Sequence, residues 1–319
     1  MMGIKVLQPG MLTTVQDAGR QGWRRYGVGR AGALDAFSYA VGNLLVGNPA
    51  GAAGLEMTLS GATLAFEAAT RIAITGAEID AATGDMQLPG WRPIDLPAGS
   101  VVKFGPCRRG VRAYLCVSGG LIVPRVLGSA STDLRGGFGG MRGRMLAAGD
   151  VLPVGEGFAA QIAEPQVPGW WIDAAPDIDF HRSTVIRVLP GADLCAGQSA
   201  LFDSAWRIAP ASNRQAIRLE GPALSAADQG ERVSEPVAPG TIQLPPDGQP
   251  IVLLADAQTV GGYPRIGHAI SADLPRLAQL RPGESVHFMP CDPEQARTLQ
   301  REQRARMARI GYAIAQRMR

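Results

Sequence analysis

The chain has 319 residues, of which 46% are hydrophobic and 18% are charged, and its formal net charge at pH 7 is +3. This composition is typical of a globular protein with one large domain or two medium domains. The small net charge argues against nucleic acid or an anionic membrane surface as a partner. No apolar run approaches 18 residues, so we predict no membrane span.

The N-terminus has no basic region followed by an apolar core, so we expect no signal peptide. The cysteines are scattered without a Cys-x-x-Cys pair, which favours a reducing compartment over a disulfide framework. We therefore predict a cytoplasmic location.

A weak internal repeat organises the chain, because six short segments of the first half resemble six segments of the second half in one unbroken order. Two of the pairs are "PAGSVVKFGP" at 97–106 with "APGTIQLPP" at 238–246, and "LAAGDVLPV" at 146–154 with "LRPGESVHF" at 280–288. The repeat predicts two tandem copies of one β-rich unit.

Short strands rich in β-branched residues, separated by Gly, Pro and Asp turns, predict a mainly β fold in each copy. A helix is predicted over 35–48, with Asp35 as its N-cap, and a second helix in the C-terminal tail. The predicted domains are a first β domain with a helical insert, a connecting segment, a second β domain and a basic helix, with the respective bounds 1–155, 156–185, 186–291 and 292–319.

Polar residues cluster where predicted strands end. The apolar run Ile251–Ala255 is followed by a carboxylate, an amide, a hydroxyl, two glycines and an aromatic ring, namely Asp256, Gln258, Thr259, Gly261, Gly262 and Tyr263. Asn213 and Arg214 precede another predicted strand, and Asp17 and Arg20 follow a third. Such groups suit an amide or carboxylate ligand, and paired glycines let backbone N–H groups approach it. The alternative is a set of hydrogen-bonded turns with an internal Asp–Arg pair.

No metal site and no P-loop are predicted. The sequence lacks Gly-x-x-x-x-Gly-Lys-Ser/Thr, His-x-His and His-Glu-x-x-His patterns. The three histidines, His181, His268 and His287, are far apart in sequence. His268, which follows the Gly-Gly loop, is the only one that we would test for catalysis.

Long motifs resemble one family. They include "TVQDAGRQGWRRYGV" at 14–28, "RLEGPAL" at 218–224 and "GTIQLPPDGQPIVLLADAQTVGGYPRIG" at 240–267. The resemblance is to the allophanate hydrolase subunit 2 family, also called the biotin-dependent carboxyltransferase or KipI-antagonist family, and it runs over about 4–290. Two positions depart from the family pattern: Ala130 replaces a common arginine, and Gln215-Ala216 replaces Met-Gly.

The resemblance implies a fold of two tandem cyclophilin-like β-barrel domains. Bacterial members include the C subunit of 5-oxoprolinase, which implies ATP-dependent hydrolysis of 5-oxoproline to glutamate by a complex. The implied partners are a KipI-like or allophanate hydrolase subunit 1 protein, which is the B subunit of 5-oxoprolinase, and the A subunit of the same enzyme. In larger relatives the same unit transfers a carboxyl group from carboxybiotin to urea.

Within this framework we assign Asp256 to proton acceptance, Arg214 to an oxyanion, phosphate or carboxylate, and Asn213 to substrate orientation. Gln258, Thr259, Tyr263 and the amides of Gly261 and Gly262 would position a small amide or lactam. Asp17 and Arg20 would serve the first domain in the same way, or pair with each other. Two alternatives stay open: biotin-dependent carboxyl transfer, for which this chain lacks a carrier motif, and a non-enzymatic role in binding a KipI-like kinase inhibitor.

Overall fold

The computed structural model describes residues 3–158, 161–174, 184–193, 199–225 and 233–318; His181 and Cys195 lie outside these ranges. The chain divides into two compact units. Met1–Arg20, Ala31–Pro176 and Met307–Arg319 form the first unit, and Gln21–Arg30 with Asp177–Arg306 form the second. The predicted domain boundaries stay predictions, but they did not anticipate that Gln21–Arg30 groups with the second unit.

The first unit contains a branched antiparallel sheet and a helix inserted between its second and third strands. Its elements are β1 (Gly3–Gln8), β2 (Leu12–Gln16), α1 (Ala36–Leu45), β3 (Gly54–Thr58), β4 (Thr63–Phe66), β5 (Thr70–Thr83), β6 (Met86–Gln87), β7 (Pro93–Leu96), β8 (Val101–Val117) and β9 (Val151–Pro153). Strands run in the order β2-β3-β8-β4-β1-β9, and β5 pairs with β6, β7 and β8. Strand pairing among the described residues does not close this sheet into a barrel.

Alternation of side chains explains the core of the first unit. Strand β4 buries Leu64 and Phe66, and the neighbouring strand β1 buries Ile4 and Val6, so all four join one apolar cluster. The long strand β5 bends against β8 where the register shifts after Gly76. Gly76 has a φ of 83°, and a Cβ there would lie 2.3 Å from the carbonyl oxygen of Arg112. The irregularity therefore requires glycine.

Helix α1 begins as predicted, because the Asp35 carboxylate accepts a hydrogen bond from the backbone N–H of Ser38 at 2.9 Å. Its buried face includes Phe37, Val41 and Leu45. The helix ends just before Gly47, whose φ is 79°. The predicted helix and its cap are confirmed.

The second unit is built around a closed barrel. Its elements are β10 (Thr184–Pro190), α2 (Ala200–Asp203), β11 (Ala205–Ile208), β12 (Ala216–Glu220), β13 (Glu235–Pro236), β14 (Thr241–Gln243), β15 (Ile251–Leu253), β16 (Val260–Gly261), β17 (Arg265–Ala269), α3 (Leu274–Ala278) and β18 (Ser285–Pro290). The barrel order is β10-β17-β14-β15-β12-β11-β18, and β13 pairs with β16 outside it. Alternate residues such as Ile217 and Leu219 are buried, as closure of a small barrel requires.

The last helix, α4 (Pro293–Arg317), confirms the predicted helix in the tail. Ile310 and Ile314 are its buried residues. Residues 293–306 belong to the second unit, and the rest belongs to the first.

The predicted fold class, mainly β with two tandem cyclophilin-like β-barrel domains and short helices, is confirmed, with a closed barrel in the second unit and a half-barrel sheet in the first. Matched turns of the repeat share a left-handed glycine: φ is 81° at Gly99 and 97° at Gly240, and 90° at Gly149 and 89° at Gly283. The strands that follow the last pair of turns differ, because β9 pairs antiparallel with β1 whereas β18 pairs parallel with β10. The two copies of the repeat therefore share their turns but differ in how the strands after these turns pair.

Candidate functional site

Two turns of the second unit lie side by side, because the strands that they flank are paired. Ala216 of β12 is opposite Leu253 of β15. Beyond the strands the contact continues, since the backbone N–H of Asp256 donates to the carbonyl oxygen of Arg214 at 3.2 Å. The backbone N–H of Leu254 donates to the carbonyl oxygen of Gln215 at 2.7 Å. The structure thus brings two of the predicted site segments together.

A buried ion pair joins the two turns. Arg214 Nε donates to Asp256 Oδ2 at 2.8 Å, and Arg214 Nη2 donates to Oδ1 at 3.0 Å. The two side chains are 4% and 5% exposed. A bidentate fork of this kind fixes the carboxylate in both position and orientation. Arg214 is therefore bound to Asp256, and its assignment to an oxyanion, phosphate or carboxylate stays a prediction.

Asn213 is exposed and shapes its own turn. Its Oδ1 accepts hydrogen bonds from the backbone N–H groups of Gln215 at 2.8 Å and Ala216 at 3.4 Å. This is the local pattern by which Asn stabilises a turn. Among the described residues its Nδ2 has no hydrogen-bond partner, and the orientation of a substrate by Asn213 stays a prediction.

Two buried or half-buried amides lie at the loop after β15. Gln258 Nε2 donates to Gln243 Oε1 at 3.5 Å, and Gln243 Nε2 donates to the carbonyl oxygen of Tyr263 at 3.4 Å. A Cβ at Gly261 would lie 2.6 Å from Gln243 Nε2, so a larger residue at this position would displace the Gln243 side-chain amide. Sequence analysis did not identify Gln243, because the only feature that marks it is an amide side chain at the end of a short buried strand.

The rest of the predicted loop is more open. The carbonyl oxygen of Thr259 accepts from the backbone N–H of Val237 at 3.0 Å, while Gly262 and Tyr263 are exposed. Loop residues with exposed side chains and backbone are accessible to a ligand. The contacts of Thr259, Gly262 and Tyr263 with a substrate stay predictions.

Arg24 reaches the same loop from far away in the sequence. It begins a single 3₁₀ turn, Arg24–Tyr26, in the segment that groups with the second unit. Its Nη2 donates to the carbonyl oxygens of Val237 and, at 3.3 Å, of Gln258. Sequence reasoning did not select Arg24, because nothing local indicates a partner that lies 234 positions away.

His268 in β17 is half-buried, and its Nδ1 lies 3.4 Å from Thr241 Oγ1. Burial lowers the pKa of His268 from its ordinary value of 6.5. The unfolded chain therefore takes up this proton more readily, so stability present above about pH 6.5 is lost as the pH falls below it. We expect a His268→Gln variant to lose less thermal stability than the wild type between about pH 7 and pH 5 in calorimetry. Equal losses in the two proteins would show that His268 does not contribute.

Asp17 in the first unit is held by several donors of one segment. Its Oδ1 accepts from Ser129 Oγ at 2.6 Å and Ser131 Oγ at 2.5 Å, and its Oδ2 accepts from the backbone N–H of Ala130 at 2.7 Å. The backbone N–H of Gly19 also donates to Oδ1, at 2.7 Å. These bonds give Asp17 a structural role, and binding of a ligand by Asp17 stays a prediction.

Arg20 is bound to the same part of the first unit. Its Nη2 donates to the carbonyl oxygen of Ser131 at 2.5 Å, and its guanidinium lies 4.6 Å from the centre of the Phe138 ring. This cation–π contact and its 1% exposure indicate packing. A role of Arg20 in binding likewise stays a prediction.

A buried carboxylate beside α1 was not selected from the sequence. Glu56 Oε2 accepts from Tyr114 Oη and from the backbone N–H of Leu34, both at 2.9 Å. Burial, and then the charges of Glu56 and Asp35, raise the pKa of Tyr114 well above its ordinary value, so this phenol stays protonated and donates. The sequence feature that could have identified Glu56 is its charge, because the other residues of strand β3 are apolar or neutral.

Neither a metal cluster nor a membrane-spanning helix is found in the described ranges. They contain no group of three or more His, Cys, Asp or Glu side chains placed to hold a metal ion. They also contain no helix that combines the length and the apolar character needed to cross a membrane.

Comparison with known proteins decides the family. A sequence model of the family described as carboxyltransferase domain, subdomain A and B, matches residues 26–290. The chain belongs to this family. The resemblance inferred from the motifs is thereby confirmed, and the paired turns at Arg214 and Asp256 lie inside the matched carboxyltransferase region.

Two curated members of the carboxyltransferase family match nearly end to end. The C subunit of 5-oxoprolinase from Escherichia coli is 39% identical over 98% of this chain and 98% of its own length. The protein of the same name from Haemophilus influenzae is 36% identical over 94% of each. Among solved structures, the urea carboxylase of Kluyveromyces lactis superposes with a TM-score of 0.88 at 30% identity. That match covers 97% of this chain but only 29% of the urea carboxylase chain.

Proposed function

We propose that the chain is the C subunit of a 5-oxoprolinase complex that opens 5-oxo-L-proline to L-glutamate at the expense of ATP. The observation that carries this proposal is the end-to-end match with the Escherichia coli C subunit, in which both chains are covered almost completely. The urea carboxylase match covers a minor part of a larger chain, so it supports the fold more than the reaction. The paired turns supply groups that fit a small lactam.

Ring opening of a lactam needs help from a protein, because amide resonance is lost and the open chain closes again easily. In the complex, ATP supplies the free energy for this step. This chain has no P-loop pattern, and the proposal assigns ATP use to the complex as a whole. The residues of this chain then bind and orient the lactam and move a proton.

Asp256 is the proposed proton acceptor for the substrate amide or for the attacking water. Each of its oxygens already accepts one hydrogen bond from Arg214. A carboxylate oxygen has two lone pairs and can take part in more than one hydrogen bond, which is compatible with the proposed role of Asp256. In this proposal Arg214 is a positioning residue, since it holds the carboxylate and does not itself contact the lactam.

A lactam presents one carbonyl acceptor and one N–H donor, and an amide side chain complements both. Gln258 and the Nδ2 of Asn213 are the proposed amide partners. Thr259, Tyr263 and the N–H groups of Gly261 and Gly262 would close around the ring. The exposure of Asn213, Gly262 and Tyr263 supports access from solvent.

The proposed partners are a KipI-like protein, as the B subunit of 5-oxoprolinase, and the A subunit of that enzyme, by analogy with the names of the relatives. The cytoplasmic location expected from the cysteine pattern stays a prediction, as does binding of a KipI-like kinase inhibitor. Among the described residues, Cys107, Cys116 and Cys291 form no disulfide.

Carboxyl transfer from biotin to urea or another amide is the second candidate. The superposition on urea carboxylase and the family description favour it. The ureido group of biotin and a lactam need similar amide-like contacts, so the same residues would serve. Transfer of a carboxyl group from free N-carboxybiotin to urea, measured with the purified chain, would support this reading.

The test of the main proposal is reconstitution with the A and B subunits, followed by measurement of ATP-dependent glutamate release from 5-oxo-L-proline. We expect release to require this chain. We expect Asp256→Asn to lower kcat about 100-fold or more, as removal of a general base does. The control is Asp247→Asn, in an exposed turn of the same unit, which should leave turnover unchanged. Full release without the chain would reject the proposal, and full release with Asp256→Asn in an intact complex would reject the residue assignment.

A further inference from the structure

Among the described residues, Arg24 is a cation without a counter-charge. Its hydrogen-bond acceptors are two neutral carbonyl oxygens, those of Val237 and Gln258. Its Nη1 is buried and has no hydrogen-bond acceptor within the described residues. No carboxylate of those residues forms an ion pair with it. Arg24 as a whole is only half-buried, so the residue lies at the edge of the second unit and not in its core.

The surroundings of Arg24 disfavour its charge. Burial, and then the positive charge of Arg30, lower the pKa of this guanidinium. A partly desolvated cation with a donor left unpaired is costly unless an anion or another acceptor completes its shell. Guanidinium groups bind carboxylate and phosphate oxygens through two parallel N–H bonds, so an oxyanion is the ligand that fits best.

Arg214 does not fill this role, because its Nε and Nη2 are both bonded to Asp256. Arg24 is different, since one side of its fork contacts backbone oxygens and the other lacks a partner within the described residues. Arg24 also donates to the backbone carbonyl oxygen of Gln258. The side-chain amide of the same residue is part of the proposed lactam site. An anion on Arg24 would therefore sit next to that site.

We propose that Arg24 binds an oxyanion of a small ligand, a carboxylate or a phosphoryl group, at the edge of the loop that carries Gln258. The identity of that ligand rests on the proposed function: 5-oxo-L-proline has one carboxylate on its ring, and Arg24 is the residue that holds it. Gln258 then meets the lactam while Arg24 fixes the acid group.

The first test uses the purified chain and inorganic phosphate, and needs no enzymatic activity. We expect phosphate to raise the Tm of the wild type, because a ligand that binds only the folded state stabilises it. We expect the apparent Kd for phosphate to rise about 10- to 100-fold in Arg24→Gln. Arg24→Lys keeps the charge but loses the planar fork of the guanidinium, so its apparent Kd for phosphate should lie between those of the wild type and Arg24→Gln.

The matched control is Arg25→Gln. Arg25 is exposed in the same turn, and its guanidinium lies 4.7 Å from the centre of the Tyr26 ring. This variant should bind phosphate as the wild type does. Absence of a phosphate effect on the wild type, or equal phosphate binding by Arg24→Gln and the wild type, would overturn the proposal.

The second test separates the carboxylate from the phosphoryl source. In the reconstituted complex, Arg24→Gln should raise KM for 5-oxo-L-proline about 10- to 100-fold and change kcat much less. 2-Pyrrolidone, the same lactam without the carboxylate, should compete equally well in both proteins. An unchanged KM together with the expected phosphate result would assign Arg24 to a phosphoryl group. A complex that does not hydrolyse 5-oxo-L-proline would reject the proposed function. The binding of phosphate by the purified chain would then still test whether Arg24 binds an oxyanion.

Discussion

Loss of either member of the Arg214–Asp256 pair should lower the free energy of unfolding by about 3–5 kcal/mol. Both side chains are almost completely buried, and the pair is bidentate. Arg214→Met removes both guanidinium hydrogen bonds to the Asp256 carboxylate, and Asp256→Leu removes the carboxylate that Arg214 Nε and Nη2 contact. An uncompensated buried charge is what makes such single substitutions costly. Urea unfolding followed by tryptophan fluorescence measures both effects.

The double variant, Arg214→Met with Asp256→Leu, serves as the control for this pair. Because neither charge remains, we expect it to be more stable than either single variant. If Asp256 accepts a proton in the reaction, the double variant stays inactive in the reconstituted complex although its stability is recovered. An active double variant would show that the pair is only structural, and single variants as stable as the wild type would contradict the buried ion pair itself.

Asp17→Ala should destabilise the first unit by about 3–5 kcal/mol, since it removes an acceptor shared by several donors. The hydroxyls of Ser129 and Ser131 and the backbone N–H of Ala130 would lose their bonds to this carboxylate. Buried donors left without an acceptor retain their full desolvation cost. Calorimetric Tm and urea midpoints of the isolated chain measure the loss.

Asp133 offers a matched aspartate for comparison with Asp17. It is also buried, but its Oδ1 accepts one bond, from the backbone N–H of Gly136 at 2.8 Å. Asp133→Ala should therefore cost about 1 kcal/mol, the usual contribution of one hydrogen bond. If Asp17→Ala costs no more than Asp133→Ala, the carboxylate of Asp17 does not hold this segment, and a role in binding becomes the better explanation.

Local chemistry was readable from the sequence. Asp35 was predicted as a helix cap because a carboxylate before an amphipathic run satisfies free backbone N–H groups, and the structure has that bond. Arg214 and Asp256 were selected from their places at the ends of predicted strands, and these strands, β12 and β15, pair in the structure. Signals of this kind act over a few residues or along one strand pair.

Long-range placement was not readable. Arg24 and Gln258 are hydrogen-bonded although 234 positions separate them in the sequence, and Tyr114 and Glu56 are hydrogen-bonded across 58 positions. No local sequence pattern predicts either contact. The sequence also left open whether Arg214 binds a ligand or pairs internally with Asp256. The three-dimensional structure assigns its Nε and Nη2 to Asp256, and the anion-binding proposal therefore concerns Arg24.

Synthesis of the second unit starts early in translation, because Gln21–Arg30 belongs to it. The ribosome releases this segment long before β10 and then makes most of the first unit. Neither unit is formed by one continuous stretch of the chain. A shortened gene that begins at β10 would encode a barrel without Arg24, so any autonomous version of the second unit has to carry the 21–30 segment through a fusion or a circular permutation.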